Sequence, residues 1–301
     1  MTAIVIAGPT GTGKTELAVR LAETVGAEIV NFDSIQIYRG FDIGSAKPTL
    51  EVRARVPHHL YDIVDADTEF NAADYAALAR TTCATIEARG RRPLLVGGTF
   101  FYLRALLSGL PEMPPRSNTV RFRLQRLLQK PRGPGRLHRW LSKIDPQSGR
   151  KIAPGDRHRI ERALEVWICS GKPISSWQRP VAGADVMRST KIALSLERNR
   201  LSTALDLRVD TMYAEGLIEE TGGLLARFPR ATRPFSSIGY KEAAAVITGE
   251  MNLNDAISET KRRTRAYAKR QMTWLRAEPR MHWLDASDPA TFANAVQLLT
   301  E

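Results

Sequence analysis

Cysteine is nearly absent: Cys83 and Cys169 are the only two in 301 residues. They stand far apart, each inside a helix-like apolar pattern, so a disulfide framework is excluded and a reducing, cytoplasmic setting with inert thiols is expected. No apolar run reaches the roughly 18 residues that a membrane span needs. The first strand pattern opens at Ala3, so no secretory leader is expected. The sequence has no internal repeat and no low-complexity segment. Histidine is scarce as well, with five residues. His58-His59 has no cysteine or carboxylate at metal-ligand spacing, which argues against a metal site there. No Ser-His-Asp nucleophile elbow is present. Acidic residues are in deficit: 32 against 44 Lys and Arg, for a net charge of +12 and a pI near 10.0. Such a balance expects a polyanionic partner. The excess is local, with +12 over residues 116–190, +7 over residues 261–280 and −7 elsewhere. Two basic tracts on a mildly acidic body read as a nucleic-acid footprint, or more simply as solubilising charge on exposed helices.

What the chain does contain begins at its N-terminus. Ala3-Ile4-Val5-Ile6-Ala7 reads as a buried strand, and residues 8–15, Gly8-Pro9-Thr10-Gly11-Thr12-Gly13-Lys14-Thr15, follow it. Gly8, Gly13, Lys14 and Thr15 fit G-x-x-x-x-G-K-[ST], in the strand–loop–helix context which that phosphate-loop pattern requires. Glycines let successive N–H groups turn inward onto phosphate oxygens, and the following helix adds the positive end of its dipole. Lys14 would reach the outer phosphate, and the Thr15 hydroxyl would ligate Mg²⁺. The pattern predicts a bound di- or triphosphate without saying which.

Strand and helix patterns alternate over the first hundred residues. Strands are expected at 28–32 and 93–96, and helices at 16–25, 71–89 (capped by Asn71) and 101–107. This alternation predicts an α/β fold with a P-loop NTPase-like parallel sheet. Ligands in such sheets bind at the carboxyl ends of the strands, so residues 8–15, Asp33-Ser34 and Gly97-Gly98-Thr99 should share one rim. After Leu110 the texture changes. Pro111, Pro114 and Pro115 punctuate a loop, and basic helical segments follow at about 118–130, 134–143 and 156–170. We expect a P-loop core of residues 1–115 and 186–301, interrupted by a helical insertion over 116–185. In the returning core, strands are expected at 190–196 and 281–284, with helices at 199–216, 217–228, 254–276 and 289–299.

Local readings of the chemistry leave alternatives open. Asp33, after a strand, could hold Mg²⁺ beside the loop or act as a general base. The third strand ends in Gly97-Gly98, so no second metal carboxylate is evident. Thr99 could present its hydroxyl to a ligand or simply cap a helix. Arg159 and Arg162 share a helical face and could contact phosphate, or could pair with Asp156, Glu161 and Glu165. Arg121 and Arg123 could close over a phosphate. Arg263, Tyr267, Arg270 and Trp274 recur at helical spacing, as a nucleic-acid face or as core aromatics beneath snorkelling arginines.

Taken together these stretches resemble the tRNA dimethylallyltransferase (tRNA isopentenyltransferase) family. The resemblance rests on the loop, on Asp33-Ser34-Ile35-Gln36-Ile37-Tyr38-Arg39 through Asp42-Ile43-Gly44-Ser45-Ala46-Lys47-Pro48, and on Val96-Gly97-Gly98-Thr99 with Tyr102-Leu103. It continues in Arg159 and Arg162-Ala163-Leu164-Glu165-Val166, in Ile238-Gly239-Tyr240-Lys241-Glu242, and in Ala268-Lys269-Arg270-Gln271 with Thr273-Trp274. Departures are small: Gly11-Thr12 where Ala-Ser is common, Phe41 for Met and Ser45 for Thr. Residues 132–135 match least.

The resemblance implies transfer of a dimethylallyl group from dimethylallyl diphosphate to N6 of the adenosine at tRNA position 37, beside the anticodon, with release of diphosphate and without ATP hydrolysis. It implies Asp33, Thr99 and Arg121 as catalytic residues, with Asp33 the base. Residues 8–15 would bind the diphosphate, and Mg²⁺ would sit at Thr15. The tRNA anticodon stem-loop would be held by Asp33, Ser34, Ile35, Gln36, Thr99, Arg121, His158, Arg159, Arg162, Gly239, Tyr240, Lys241, Lys269 and Arg270. A monomer with no membrane partner is expected. A nucleotide-type kinase shares the loop and sheet but leaves residues 38–48 and both basic tracts unexplained. A non-catalytic RNA-binding protein with a nucleotide switch is the third reading.

Overall fold

The computed structural model describes residues 2–178 and 187–300. Six strands form one sheet: β1 (Ala3–Ala7), β2 (Ala27–Asn31), β3 (His58–His59), β4 (Arg92–Val96), β5 (Ser189–Ser195) and β6 (Met281–Asp285). Their order is β3-β2-β4-β1-β5-β6, and every pairing is parallel. β1 is buried along its whole length, as a continuous aliphatic run must be when both faces of a parallel sheet are covered. Its register sets Ile4 beside Leu94 on one side and Thr190 on the other.

Helices α1 (Lys14–Val25), α2 (Leu50–Arg55), α3 (Ala72–Ala88) and α4 (Phe100–Ser108) accompany the first four strands. α5 (Asn118–Gln129), α6 (Gly133–Ile144), α7 (Pro146–Lys151), α8 (Arg157–Ser170) and α9 (Ile174–Trp177) follow. The last five are α10 (Arg198–Ala214), α11 (Leu217–Leu225), α12 (Tyr240–Ile247), α13 (Leu253–Ala277) and α14 (Thr291–Thr300). Asn71 caps α3 as its sequence suggests, accepting from the Ala73 and Asp74 N–H groups while Asp74 returns the bond. Leu17, Leu21 and Ala22 of α1 and Ala295 and Leu299 of α14 bury against Ile4, Ile6, Ile29, Leu94 and Ile192. α3 packs on β2 and β4. Among the described residues no helix is long and apolar enough to cross a membrane.

The chain divides into two compact units, Met1–Ser108 with Asp185–Glu301, and Gly109–Ala184. The expected end of the insertion, near Asp185, lies outside the described residues. The helical unit has its own core of Leu124, Leu128, Leu137, Leu141, Ile160 and Leu164. His58-His59, read as lacking metal partners, forms the edge strand. His59 Nε2 lies 2.7 Å from Glu28 Oε2, which also accepts from Arg89 at 2.7 Å. Cys83 is buried in α3, its thiol pushed up to about 12 by burial and then by the Glu87 charge, while Cys169 is exposed.

Candidate active site

Because all strands run the same way, the segments after β1, β2 and β4 leave from one edge, as the alternating pattern predicts. Two contacts hold that edge together. The Phe32 N–H donates to Val96 O at 2.9 Å. A Cβ on Gly97 would come within 2.7 Å of the Phe32 backbone, so only glycine lets these two chain segments approach. Asn31 turns the chain after β2, accepting from the Asp33 N–H at 2.8 Å and donating to Leu60 O at 3.0 Å. Gly13 enters α1 at φ +74 with no side-chain cap, so the first-turn N–H groups have no intrahelical partners and are free for an anion.

These segments line a cavity of about 610 Å³ whose walls include Thr10, Lys14, Thr15, Asp33, Gly98 and Arg208. Lys14 Nζ donates to Pro9 O at 2.8 Å. Burial first, then repulsion from Arg208, bring its ammonium down to about 7, with Asp33 opposing the change. Asp33 Oδ1 accepts from the Ile35 N–H at 2.8 Å and the Gln36 N–H at 3.4 Å. Its other oxygen accepts no bond from the described residues. Burial raises the Asp33 pKa above the usual carboxylate value, against the two N–H groups and the charges of Lys14 and Arg208. A half-buried carboxyl with one free oxygen and a raised pKa is suited to take a proton.

Thr99 stands at the start of α4, its carbonyl accepting from the Tyr102 and Leu103 N–H groups. Its Oγ1 accepts from the Ser34 N–H at 3.0 Å and donates to Ser34 Oγ at 3.2 Å, so the hydroxyl braces the Asp33 turn. Gln36 Nε2 donates to Ser45 O and Ala46 O, both at 3.1 Å. The loop it grips is clamped by Lys47, whose ammonium donates to Tyr38 O at 2.8 Å and to Asp62 at 2.6 Å. Ser34 and Ile35 line the cavity beside Gln36.

Arg208 has no local sequence signal. It stands in α10 among several other charged residues, yet its guanidinium faces Asp33 and Lys14 and forms no ion pair among the described residues. It joins Lys14, Arg263 and Arg270 among the cations that line this cavity.

α13 resolves an open alternative by dividing its face. Arg263 pairs with Glu242, Arg265 with Asp206, Lys261 with Asp210 and Arg262 with Glu259. Lys269 and Arg270 are exposed and form no ion pair among the described residues, and Arg270 reaches over the Tyr267 ring at 5.7 Å. Tyr267 lines the cavity and donates to Gly98 O at 3.1 Å. Trp274 stays at the surface beneath Arg104, 4.8 Å away. The helix thus offers rings and free cations together, with Arg262, Arg263 and Arg265 spent on ion pairs.

One expectation is corrected. Tyr240 cannot touch tRNA: it is fully buried and donates to Glu220 Oε1 at 2.6 Å. Glu220 in turn accepts from the Asp42, Ile43 and Gly44 N–H groups, and a Cβ on Gly44 would lie 2.6 Å from the Tyr240 ring. Gly239, at φ +90, starts α12 and donates to Glu242. The motif is therefore a brace for residues 42–44, and only Lys241 within it is exposed. Tyr240→Phe should cost about 1.5–3 kcal/mol in denaturant unfolding, the value of a hydrogen bond to a charged acceptor, and leave the KM for tRNA unchanged.

Within the helical unit, Arg121 Nε donates to Glu165 at 3.0 Å, and Arg162 donates to Glu165 at 2.7 Å and to Pro114 O at 2.8 Å. Burial pushes the Glu165 pKa up, but Arg162, the Ser117 N–H and the Arg121 charge hold it below its usual value. Arg121 and Arg162 are thus engaged in the unit's own ion network, as the intrahelical-pairing alternative has it for Arg162. Arg159 and His158 are exposed, with Arg159 3.4 Å from Asp156.

Comparison with known proteins agrees with this geometry. The sequence profile of the IPP transferase family matches residues 36–278. A tRNA dimethylallyltransferase of Geobacter sulfurreducens is 45% identical, over 96% of this chain and 93% of that protein. That of Syntrophobacter fumaroxidans is 47% identical, over 95% and 84%. The crystal structure of a full-length tRNA isopentenylpyrophosphate transferase from Bacillus halodurans superposes with a TM-score of 0.74 at 36% identity, covering 99% of this chain and 95% of that one. A eukaryotic dimethylallyltransferase acting on tRNA gives a TM-score of 0.79 at 28% identity, over 99% and 77%. The profile spans most of the sequence and its relatives match nearly end to end: the chain belongs to the IPP transferase family.

Proposed function

We propose that this protein transfers a dimethylallyl group from dimethylallyl diphosphate to N6 of the adenosine at tRNA position 37. The observation that carries the reading is a half-buried carboxyl of raised pKa, Asp33, sharing one cavity with the cations Lys14 and Arg208 of a phosphate-binding rim. The exocyclic amine of adenine is a poor nucleophile because its lone pair is delocalised into the ring. As the N6–C1 bond forms and the C1–O bond to diphosphate breaks, the free oxygen of Asp33 accepts the N6 proton. Lys14, Arg208 and the first-turn N–H groups of α1 stabilise the charge growing on the departing diphosphate. Thr99 and Asn31 hold Asp33 in place throughout.

Mg²⁺ fits the donors present. Thr15 lines the same cavity as Asp33, and its hydroxyl makes no hydrogen bond among the described residues. Oxygen-only sites with few protein ligands suit Mg²⁺ carried largely by phosphate and water. Bound there, the ion would neutralise charge on the diphosphate.

Lys269, Arg270 and Lys241 in the sheet unit, and His158 and Arg159 in the helical unit, are the exposed groups that would grip the anticodon stem-loop. The target base leaves its stack at a cost of a few kcal/mol. Every group invoked comes from one chain, so a monomer working with tRNA in the cytoplasm suffices. Incubation with tRNA and either carbon-labelled dimethylallyl diphosphate or γ-labelled ATP tests the proposal. Label should enter tRNA only from the former; entry from ATP would make the protein a kinase.

The depressed Lys14 pKa gives a pH signature. At pH 8 a lysine titrating near 7 is largely neutral, and a bound diphosphate favours its charged form. Pyrophosphate binding should therefore take up protons at pH 8 and weaken as pH rises above 7. Calorimetry in buffers of different ionisation heat should find more uptake than in Lys14→Arg, whose cation is always charged. Equal uptake would clear Lys14.

A further inference from the structure

Gln271 is a neutral residue on the basic helix α13, and none of its neighbours on that helix marks it out. It is almost fully buried, with both ends of its amide engaged across the cavity. Its Oε1 accepts from the Thr10 N–H of the phosphate loop at 3.0 Å. Its Nε2 donates to Gly98 O at 3.0 Å, on the segment that carries Thr99. Thr99 in turn holds Ser34, next to Asp33. One side chain therefore links the loop read above as the leaving-group holder to the turn that carries the base. A Cβ on Gly98 would lie 2.4 Å from the Gln271 amide nitrogen and 3.6 Å from Asp33 Oδ2, so Gly98 sits between the two side chains.

We propose that Gln271 is a positioning residue that sets the separation between the diphosphate loop and the Asp33 turn. The inference rests on the transferase reading for the meaning of that separation. Glutamine is suited to the task because it offers one acceptor and one donor on a neutral planar group. A carboxylate would oppose the Gly98 carbonyl, and a lysine could not accept from Thr10. Misplacement of reacting groups by a fraction of an ångström is enough to slow a bimolecular substitution severalfold or more.

Inorganic pyrophosphate binding, measured by calorimetry on the full chain, reads the strut directly, even in a protein that proved unable to transfer dimethylallyl. Gln271→Leu should weaken pyrophosphate binding about tenfold, as two lost hydrogen bonds imply, with a fall in kcat and a KM for tRNA within about twofold of the parent. Gly98→Ala should act alike, because the new methyl displaces the flexible end of Gln271 while leaving the side chain in the protein. Combining the two should add little to either. Gln271→Glu, compared with the parent at each pH, should bind poorly at pH 8 and close the gap towards pH 6, where a protonated carboxyl regains the donor. A residue that served stability alone would lower tRNA and pyrophosphate affinity together and show no such recovery. Unchanged pyrophosphate affinity in both Gln271→Leu and Gly98→Ala, or full additivity between them, would overturn the proposal.

Discussion

Asp33→Asn should lower kcat for dimethylallyl transfer by about 10²- to 10⁴-fold, the contribution of a positioned general base. The amide oxygen of asparagine can still accept from the Ile35 and Gln36 N–H groups that Asp33 Oδ1 engages. The turn should therefore survive, and tRNA and pyrophosphate binding should persist. In the parent, kcat should rise with pH as Asp33 ionises, through a pKa above the ordinary carboxylate value because burial disfavours the charged form. The variant should lose that limb. Asp33→Ala removes the acceptor as well and should loosen the turn. Loss of both bindings in Asp33→Asn would make Asp33 a structural residue.

Arg208→Ala should lower kcat by about 10²- to 10³-fold, the usual consequence of removing one donor to a developing anion in a water-poor site. The variant has a second readout. Arg208 holds the Asp33 pKa down and pushes Lys14 down. Its removal should move the acidic limb of the pH–rate profile to higher pH and raise the Lys14 titration. Arg208→Lys keeps a charge without the planar fork and should recover activity only in part. A pH profile identical to the parent's would place Arg208 outside the electrostatics of the site.

Much of the rim was readable before any coordinates, because its parts carry local signals. The phosphate loop follows a buried aliphatic strand, Asp33 follows the second strand, and Gly97-Gly98 ends the third of the expected strands. A parallel sheet then brings them together without further information. What escaped depended on contacts distant in sequence. Arg208 looks like its charged neighbours in α10, and only the fold turns it towards Asp33. Tyr240 reads as an exposed motif residue until Glu220, on α11, takes its hydroxyl. The two-residue β3 exists only through its pairing with β2. α2, α7 and α9 are too short for a helical period to be legible, and α12 is an alanine-rich helix of eight residues whose start is set by the Gly239–Glu242 box. Arg162 and Arg121 show what a basic pattern leaves out: a buried carboxylate, Glu165, is a partner to both.

The central claim is that the phosphate loop holds a leaving group that departs whole, and that no phosphoryl group is transferred. A donor labelled both in the dimethylallyl carbons and in phosphorus tests it in one incubation with tRNA. Carbon label should enter tRNA in step with release of intact labelled pyrophosphate. Phosphorus label in tRNA, or release of orthophosphate in proportion to product, would contradict it.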